Sequence, residues 1–157
     1  MRIFVVSDTH GRINEFIKKV EYLEKPDMII HLGDYIEDGI EIEKRLNINT
    51  IKIRGNCDFY TEKKNEETIL NIGDKRIFLT HGHKYNVKMG ILNLYYAGKE
   101  ENADLILYGH THIPSIEKKD GMIFLNPGSP SMPRGRHKRT FAIVEIGDKI
   151  KADIIEI

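Results

Sequence analysis

The 157-residue chain has no tryptophan, no glutamine and a single cysteine. One cysteine excludes an internal disulfide and fits a reducing compartment. No apolar run approaches the ~20 residues that a membrane-crossing helix needs, which excludes such a helix. Net charge is also missing. Twenty-four basic residues balance 24 acidic ones, so no global field draws the chain to nucleic acid or to a membrane surface. The N-terminus lacks the basic region, long apolar core and small-residue cleavage site of a signal peptide, so it reads as mature protein, with the cytoplasm as the expected location. The absence of glutamine beside 31% charged residues has the bias of heat-adapted chains, against which ten asparagines count.

What is present is a rhythm. A chain of this length buries roughly 70% of the surface that its unfolded form exposes, so residues 1–157 are expected to form one domain without a staple. Residues 3–6 are a short apolar run ending at a polar turn, as in a strand buried on both faces, and 28–32 and 50–53 read as two further short strands, ending at Gly33-Asp34 and Gly55-Asn56. Between them, residues 12–24 and 36–46 carry apolar side chains at helical spacing, with Pro26 expected to stop the first helix. This βαβαβ order implies a parallel sheet. The second half reads differently. Strands are expected at 68–72, 76–80, 104–107, 115–119, 122–125, 140–146 and 149–155, and a helix at 87–97. Gly73-Asp74, Asp120-Gly121 and Gly147-Asp148 separate neighbouring runs and argue for antiparallel hairpins. The whole reads as an α/β (α+β) fold of two sheets with helices outside.

Five strand ends deliver Asp, Asn or His, nearly always beside a glycine. In order they are Asp8-Thr9-His10, Gly33-Asp34, Gly55-Asn56-Cys57-Asp58, His81-Gly82-His83 and Gly109-His110-Thr111-His112. Open α/β sheets gather ligands at the carboxyl ends of their strands. Carboxylates, imidazoles and one amide oxygen suit Mn, Fe, Zn, Ni or Co rather than calcium or thiolate-bound structural zinc. Seven candidates, Asp8, His10, Asp34, Asn56, His81, His110 and His112, exceed the needs of one tetrahedral ion and suit two ions sharing a carboxylate. Each motif alone has a plainer use. A strand-end Asp caps a following helix, Gly-Asn and Gly-Asp make turns, and loop histidines satisfy one another. The ordered combination is what carries the metal reading.

That order resembles the calcineurin-like metallophosphoesterase superfamily. The short length and the Gly-Asn-Cys-Asp form resemble its small phosphodiesterase branch in bacteria and archaea, and the resemblance extends through Asn126-Pro127-Gly128-Ser129. It implies a four-layer αββα sandwich of two mixed β-sheets flanked by helices. It implies one ion on Asp8, His10 and His112, a second on Asn56, His81 and His110, and Asp34 between them. Both would be divalent, manganese being the first expectation and nickel, iron, zinc or cobalt the others. The implied reaction is hydrolysis of a small phosphate ester, a diester before a monoester and in one form nucleotide-like, by a hydroxide held between the ions. An extended segment would point His110 and His112 the same way, so they would reach adjacent ions from one side. His83 matches no ligand position and is expected behind the ligands or facing substrate.

His81, Asn56, Cys57 and Asp58 are the candidates for a direct part in the reaction. Many members of the superfamily carry a histidine after the Gly-Asn, able to protonate the leaving group; this chain has Cys57 there. A thiol of ordinary pKa ~8.5 would donate sluggishly, and a small buried apolar role serves Cys57 equally well. Asp58 would orient a ligand or a water. Efficient turnover is then expected only for esters with good leaving groups. The one basic run, Arg134-Gly-Arg-His-Lys-Arg139, is either a solvated loop or an anion-gathering rim. The competing reading is a protein-interaction scaffold, because one relative of this fold, the small retromer subunit, serves as one. That relative keeps the ligand set incompletely, whereas here all seven positions hold competent residues. No nucleic-acid partner is expected at zero net charge, and monomer and homo-oligomer both remain open.

Overall fold

The patterning becomes ten strands and three helices in the computed structural model, which describes residues 1–59 and 65–157. Strands β1 (Arg2–Val6), β2 (Met28–His31) and β3 (Thr50–Lys52) are parallel, joined through helices α1 (Asn14–Glu21) and α2 (Ile36–Leu46). The second half supplies β4 (Glu67–Ile72), β5 (Lys75–Thr80), α3 (Leu92–Glu100), β6 (Leu105–Leu107), β7 (Pro114–Lys119) and β8 (Met122–Pro127). These strands form a sheet of order β4-β5-β6-β8-β7, parallel through β5, β6 and β8 and antiparallel at both edges. The chain then returns. β9 (Thr140–Ile146) and β10 (Ile150–Glu156) complete the first sheet as β10-β9-β1-β2-β3. Both sheets are mixed and the fold is the expected four-layer sandwich.

Strands buried on both faces explain the unbroken apolar runs. Between the sheets, Ile3, Val5 and Ile30 of one pack with Leu79, Leu105 and Leu125 of the other. On the outer face of the first sheet, Phe16, Ile17 and Val20 of α1 cover Phe4 and Phe141. Phe16 meets Phe141 edge-on with ring centres 5.3 Å apart, and each such ring contributes roughly 1.5–3 kcal/mol by burial. Leu94 and Tyr95 of α3 cover Phe78, Ile106 and Phe124 on the far side. Glu15 opens α1 and Lys18 and Lys19 close it, in the sense that the helix dipole favours. Among the described residues no helix is long and apolar enough to cross a membrane.

The hairpin turns fall where Gly-Asp and Asp-Gly stand. Asp120 and Gly121, at φ +49° and +83°, link β7 to β8 in a two-residue loop with both residues left-handed, as a type I′ turn requires. Two helices differ from expectation. The first ends at Glu21, before Pro26, because Tyr22 and Leu23 bond back to Lys19 and Val20 in a tightened last turn. The helix expected at 87–97 is split. Val87–Met89 is a single 3-10 turn, Gly90 at φ +131° breaks it, and α3 runs from Leu92 to Glu100 instead.

Candidate metal centre

The carboxyl ends of β1, β2 and β3 in one sheet and of β5 and β6 in the other open onto the same rim, and the seven candidate ligands come from the segments just beyond them. Ligand atoms of Asp8, His10, Asp34 and His112 lie within 4.8 Å of one another, as do those of Asp34, His81 and His110. Asp34 belongs to both groups. Its Oδ2 lies 3.8 Å from His10 Nε2 and its Oδ1 3.5 Å from His81 Nε2. Asn56 Oδ1 is 3.2 Å from His81 Nε2, on the second group's side.

The imidazoles are held so that lone pairs converge. His81 Nδ1 lies 2.8 Å from the Leu32 carbonyl and His112 Nδ1 2.7 Å from that of Met132. A carbonyl only accepts, so each Nδ1 carries a hydrogen, which in the neutral tautomer leaves Nε2 with the lone pair. His81 Nε2 then faces acceptor oxygens of Asn56, Asp34 and, at 4.0 Å, Asp8. His112 Nε2 stands 3.2 Å from Asp8 Oδ1 and 3.4 Å from His10 Nε2. Asp8 is fully buried, yet among the described residues its Oδ1 accepts no hydrogen bond. Acceptors facing acceptors in a buried pocket repel unless a cation or proton lies between them. The donor set therefore fits divalent ions.

Without ions the histidines share the charge unequally. Burial by itself would lower the pKa of His112, but its contact with Asp8 outweighs that and raises it. Burial would likewise raise Asp8, and the same histidine, with His81, brings it below the ordinary carboxylate value. Burial lowers His10, and burial, His81 and then Lys88 bring His110 down to about 4.

Five of the seven candidates have left-handed backbones: Asp8, His10, Asp34, His110 and His112, at φ between +46° and +68°. The histidine pair corrects the extended reading of residues 110–112. β6 ends at Leu107, and Thr111 N–H bonds to the Gly109 carbonyl at 2.8 Å, so the segment is a tight turn. That turn, rather than strand alternation, sends His110 toward His81 and His112 toward His10 and Asp8. Such conformations cost about 1 kcal/mol or more each and persist only where neighbours fix them. Here they do. Asp8 N–H bonds to Gly33 O, its own carbonyl accepts from Ser129 and Ser131 hydroxyls, and its Oδ2 takes the His110 N–H. Asn126 Nδ2 donates to Gly109 O and to Thr111 Oγ1. Gly109 has no room for a side chain, since a Cβ there would meet Ser7 Oγ and lie 2.9 Å from Asp8 Oδ2. At Gly55 a Cβ would strike Asp34.

Asp58 faces the backbone. Its Oδ1 accepts the N–H groups of Tyr35 and Ile36 at the start of α2, and its Oδ2 those of Asp34 and Gly55. Cys57 is half-buried and its thiol is pushed up to about 11, by burial first and then by the carboxylates of Asp34, Asp58 and Asp8. The His83 ring lies 5.4 Å from that of His81 and 6.1 Å from that of His110. Of the basic run, Lys138 pairs with Glu156 and Arg139 with Glu15, while the Arg134 N–H bonds to the His112 carbonyl.

Sequence reading missed His31. It is fully buried with Gly33 N–H on its Nδ1, so its Nε2–H donates to Thr9 Oγ1 at 2.9 Å, beneath Asp34. Burial lowers its pKa from 6.5 to about 4. An unfolded chain takes up this proton below pH 6.5 while the folded chain resists it to about 4, so stability falls as pH drops through that window. The expected loss from this residue is about 3 kcal/mol. Urea unfolding of the metal-free protein at neutral pH and near the lower edge should show it. His31→Asn should be less stable at neutral pH yet lose less on acidification; an equal loss in both proteins would assign the effect elsewhere.

A candidate two-ion donor set on a four-layer αββα sandwich fits the metal-dependent phosphoesterases. The chain belongs to the calcineurin-like phosphoesterase superfamily, whose domain model matches residues 1–149. It is 36% identical over 150 residues to the Bacillus subtilis protein named "Probable metallophosphoesterase YsnB", covering 93% of this chain and 85% of that one. It is 33% identical over 144 residues to phosphodiesterase MJ0936 of Methanocaldococcus jannaschii, covering 82% and 83%. A solved Streptococcus pneumoniae structure, described as a predicted phosphoesterase, superposes with TM-score 0.82 at 34% identity, covering 99% of this chain and 88% of that one.

Proposed function

We propose that this chain is a phosphodiesterase with Asp8, His10 and His112 on one divalent ion, Asn56, His81 and His110 on the other, and Asp34 shared. The observation that carries this is the buried Asp34 carboxylate, whose two oxygens face separate histidine groups. The name of the Methanocaldococcus jannaschii relative supports a diester substrate. Bound ions would supply Lewis acidity toward the phosphoryl oxygens and bring the pKa of a water toward neutrality. The chain's own part is placement. The Leu32 and Met132 carbonyls orient His81 and His112, Asn56 turns its carbonyl to the second position, and Asp8 is locked by Ser129 and Ser131. Such fixed dipoles need no reorganisation as charge shifts among the phosphoryl oxygens.

Among the described residues, Cys57 is the side chain that follows the Gly-Asn turn, where many members of the superfamily carry a histidine. In the metal-free chain burial and then the carboxylates of Asp34, Asp58 and Asp8 push the Cys57 thiol up to about 11, which makes it a poor proton donor. Cys57→Ala should therefore change turnover less than about tenfold, where loss of a true general acid costs 10²–10⁴-fold. A larger loss with metal content intact would make the thiol a participant.

The deciding assay is hydrolysis of bis-p-nitrophenyl phosphate and p-nitrophenyl phosphate with manganese, nickel, magnesium and zinc, beside His110→Ala. The diester should be preferred and the variant should be nearly inactive. No hydrolysis of either ester with any metal would sink the proposal and leave the scaffold reading. Manganese is the metal we expect to serve best, because the carboxylate and amide oxygens of the set suit it, while the imidazoles also admit nickel, iron, zinc or cobalt.

A further inference from the structure

A cleft of about 660 Å³ opens beside the metal centre, between the turns at Val87–Met89 and the Gly-His-x-His loop. Thr111, which separates His110 from His112, lines it. So do the apolar side chains of Val87, Met89, Ile91 and Ile113, with Met89 83% exposed. Its size lies within the ordinary range of small-molecule sites.

It carries charges of both signs. Lys88 and Arg134 line the cleft. Arg134 is tied by its backbone to the His112 carbonyl, and the charge of Lys88 acts on His110, so the two cations flank the metal-facing loop. Among the described residues neither forms an ion pair, unlike Lys138 and Arg139 of the same basic run. Among the described residues the one carboxylate on the lining is Glu117, on β7 two residues beyond Ser115 and farther along the strand from the loop. The cleft thus brings together two cations, a set of apolar side chains and one carboxylate on a lining that includes Thr111 of the metal-facing loop.

We propose that this cleft binds the nucleotide part of a phosphodiester substrate. A further phosphate lies between Lys88 and Arg134, the base rests on Met89, Ile91 and Ile113, and an amino N–H of the base points toward Glu117. The proposal rests on the phosphodiesterase reading and deepens it. Unpaired Lys and Arg recognise phosphate by charge-assisted bonds. A metal centre alone selects the scissile phosphate and leaves the rest of the substrate unread.

Calorimetry of the manganese-loaded protein with adenosine 3′,5′-bisphosphate and adenosine 5′-monophosphate tests it. The bisphosphate should bind about tenfold tighter or more, from its added charge-assisted contacts. The double variant Lys88→Ala/Arg134→Ala should lose that preference. Met89→Glu, at an exposed position, should weaken both nucleotides. Equal affinity for the two nucleotides in the parent protein, a preference that survives the double variant, or no effect of Met89→Glu on adenosine 5′-monophosphate would overturn the proposal. Hydrolysis of bis-p-nitrophenyl phosphate by the same preparations reports separately on the phosphodiesterase reading, so failure of one is not failure of the other.

Discussion

Asp34→Ala is expected to empty both ion positions together and to lower bis-p-nitrophenyl phosphate turnover by at least about a thousandfold. The other candidate carboxylate, Asp8, stands in one group only, whereas Asp34 stands in both. Its Oδ1 is already oriented by the Cys57 N–H at 2.9 Å, and that bond leaves Oδ2 turned to His10. Removing the side chain leaves His10, His81 and His110 without the anion that makes two cations tolerable at close range. The backbone should survive, because the Asp34 N–H is held by Asp58 rather than by its own side chain. The measurement is metal per chain after dialysis, beside circular dichroism and activity. His110→Ala is the contrast. It touches one group alone, so it should lose one ion before the other. An Asp34→Ala protein that kept one ion per chain and activity within tenfold would remove the shared carboxylate from the centre.

Much of this was legible because the relevant information is local. Each candidate ligand follows an apolar run that could only be a buried strand, and parallel strands deliver their carboxyl ends to one edge. Helix faces were legible for the same reason: Phe16, Ile17 and Val20 recur at helical spacing and all three are buried. What was not legible depends on contacts distant in the chain. The Ser129 and Ser131 bonds to the Asp8 carbonyl span more than 120 residues and leave no periodicity. His31 looks like any strand-end histidine until Thr9 and Gly33 close around it. The His110–His112 turn was misread as extended because Asp and His adopt left-handed backbones only where neighbours compensate, and here the compensating bonds come from Asp8 and Arg134. The segment 87–97 was misread for a simpler reason. A helical apolar pattern runs through it, and one glycine at φ +131° overrides the pattern.

Asp58→Asn is expected to destabilise the chain by roughly 2–4 kcal/mol and to lower the melting midpoint by roughly 5–15 °C. Asp58 is buried, and each of its oxygens accepts two backbone N–H groups, at 2.7–3.1 Å. An asparagine keeps one of those oxygens and sets an NH2 against the other two donors. The choice of oxygen does not rescue it. One orientation strands Tyr35 and Ile36 at the first turn of α2, and the other strands Asp34 and Gly55. The second pair includes a residue at φ +54° that also faces both histidine groups, so looser metal binding should accompany lower stability. This separates a positioning role from a catalytic one. If Asp58 works by holding the β2 and β3 loops, urea unfolding of the metal-free protein already shows the loss, and excess metal restores part of the activity. If metal content and stability were unchanged while turnover collapsed, Asp58 would instead act on substrate or water directly. Cys57→Ala is the neighbouring control, since it removes no acceptor for any of these four N–H groups. The same reasoning explains why a carboxylate stands at this position: only a group with two acceptor oxygens satisfies donors from two loops at once.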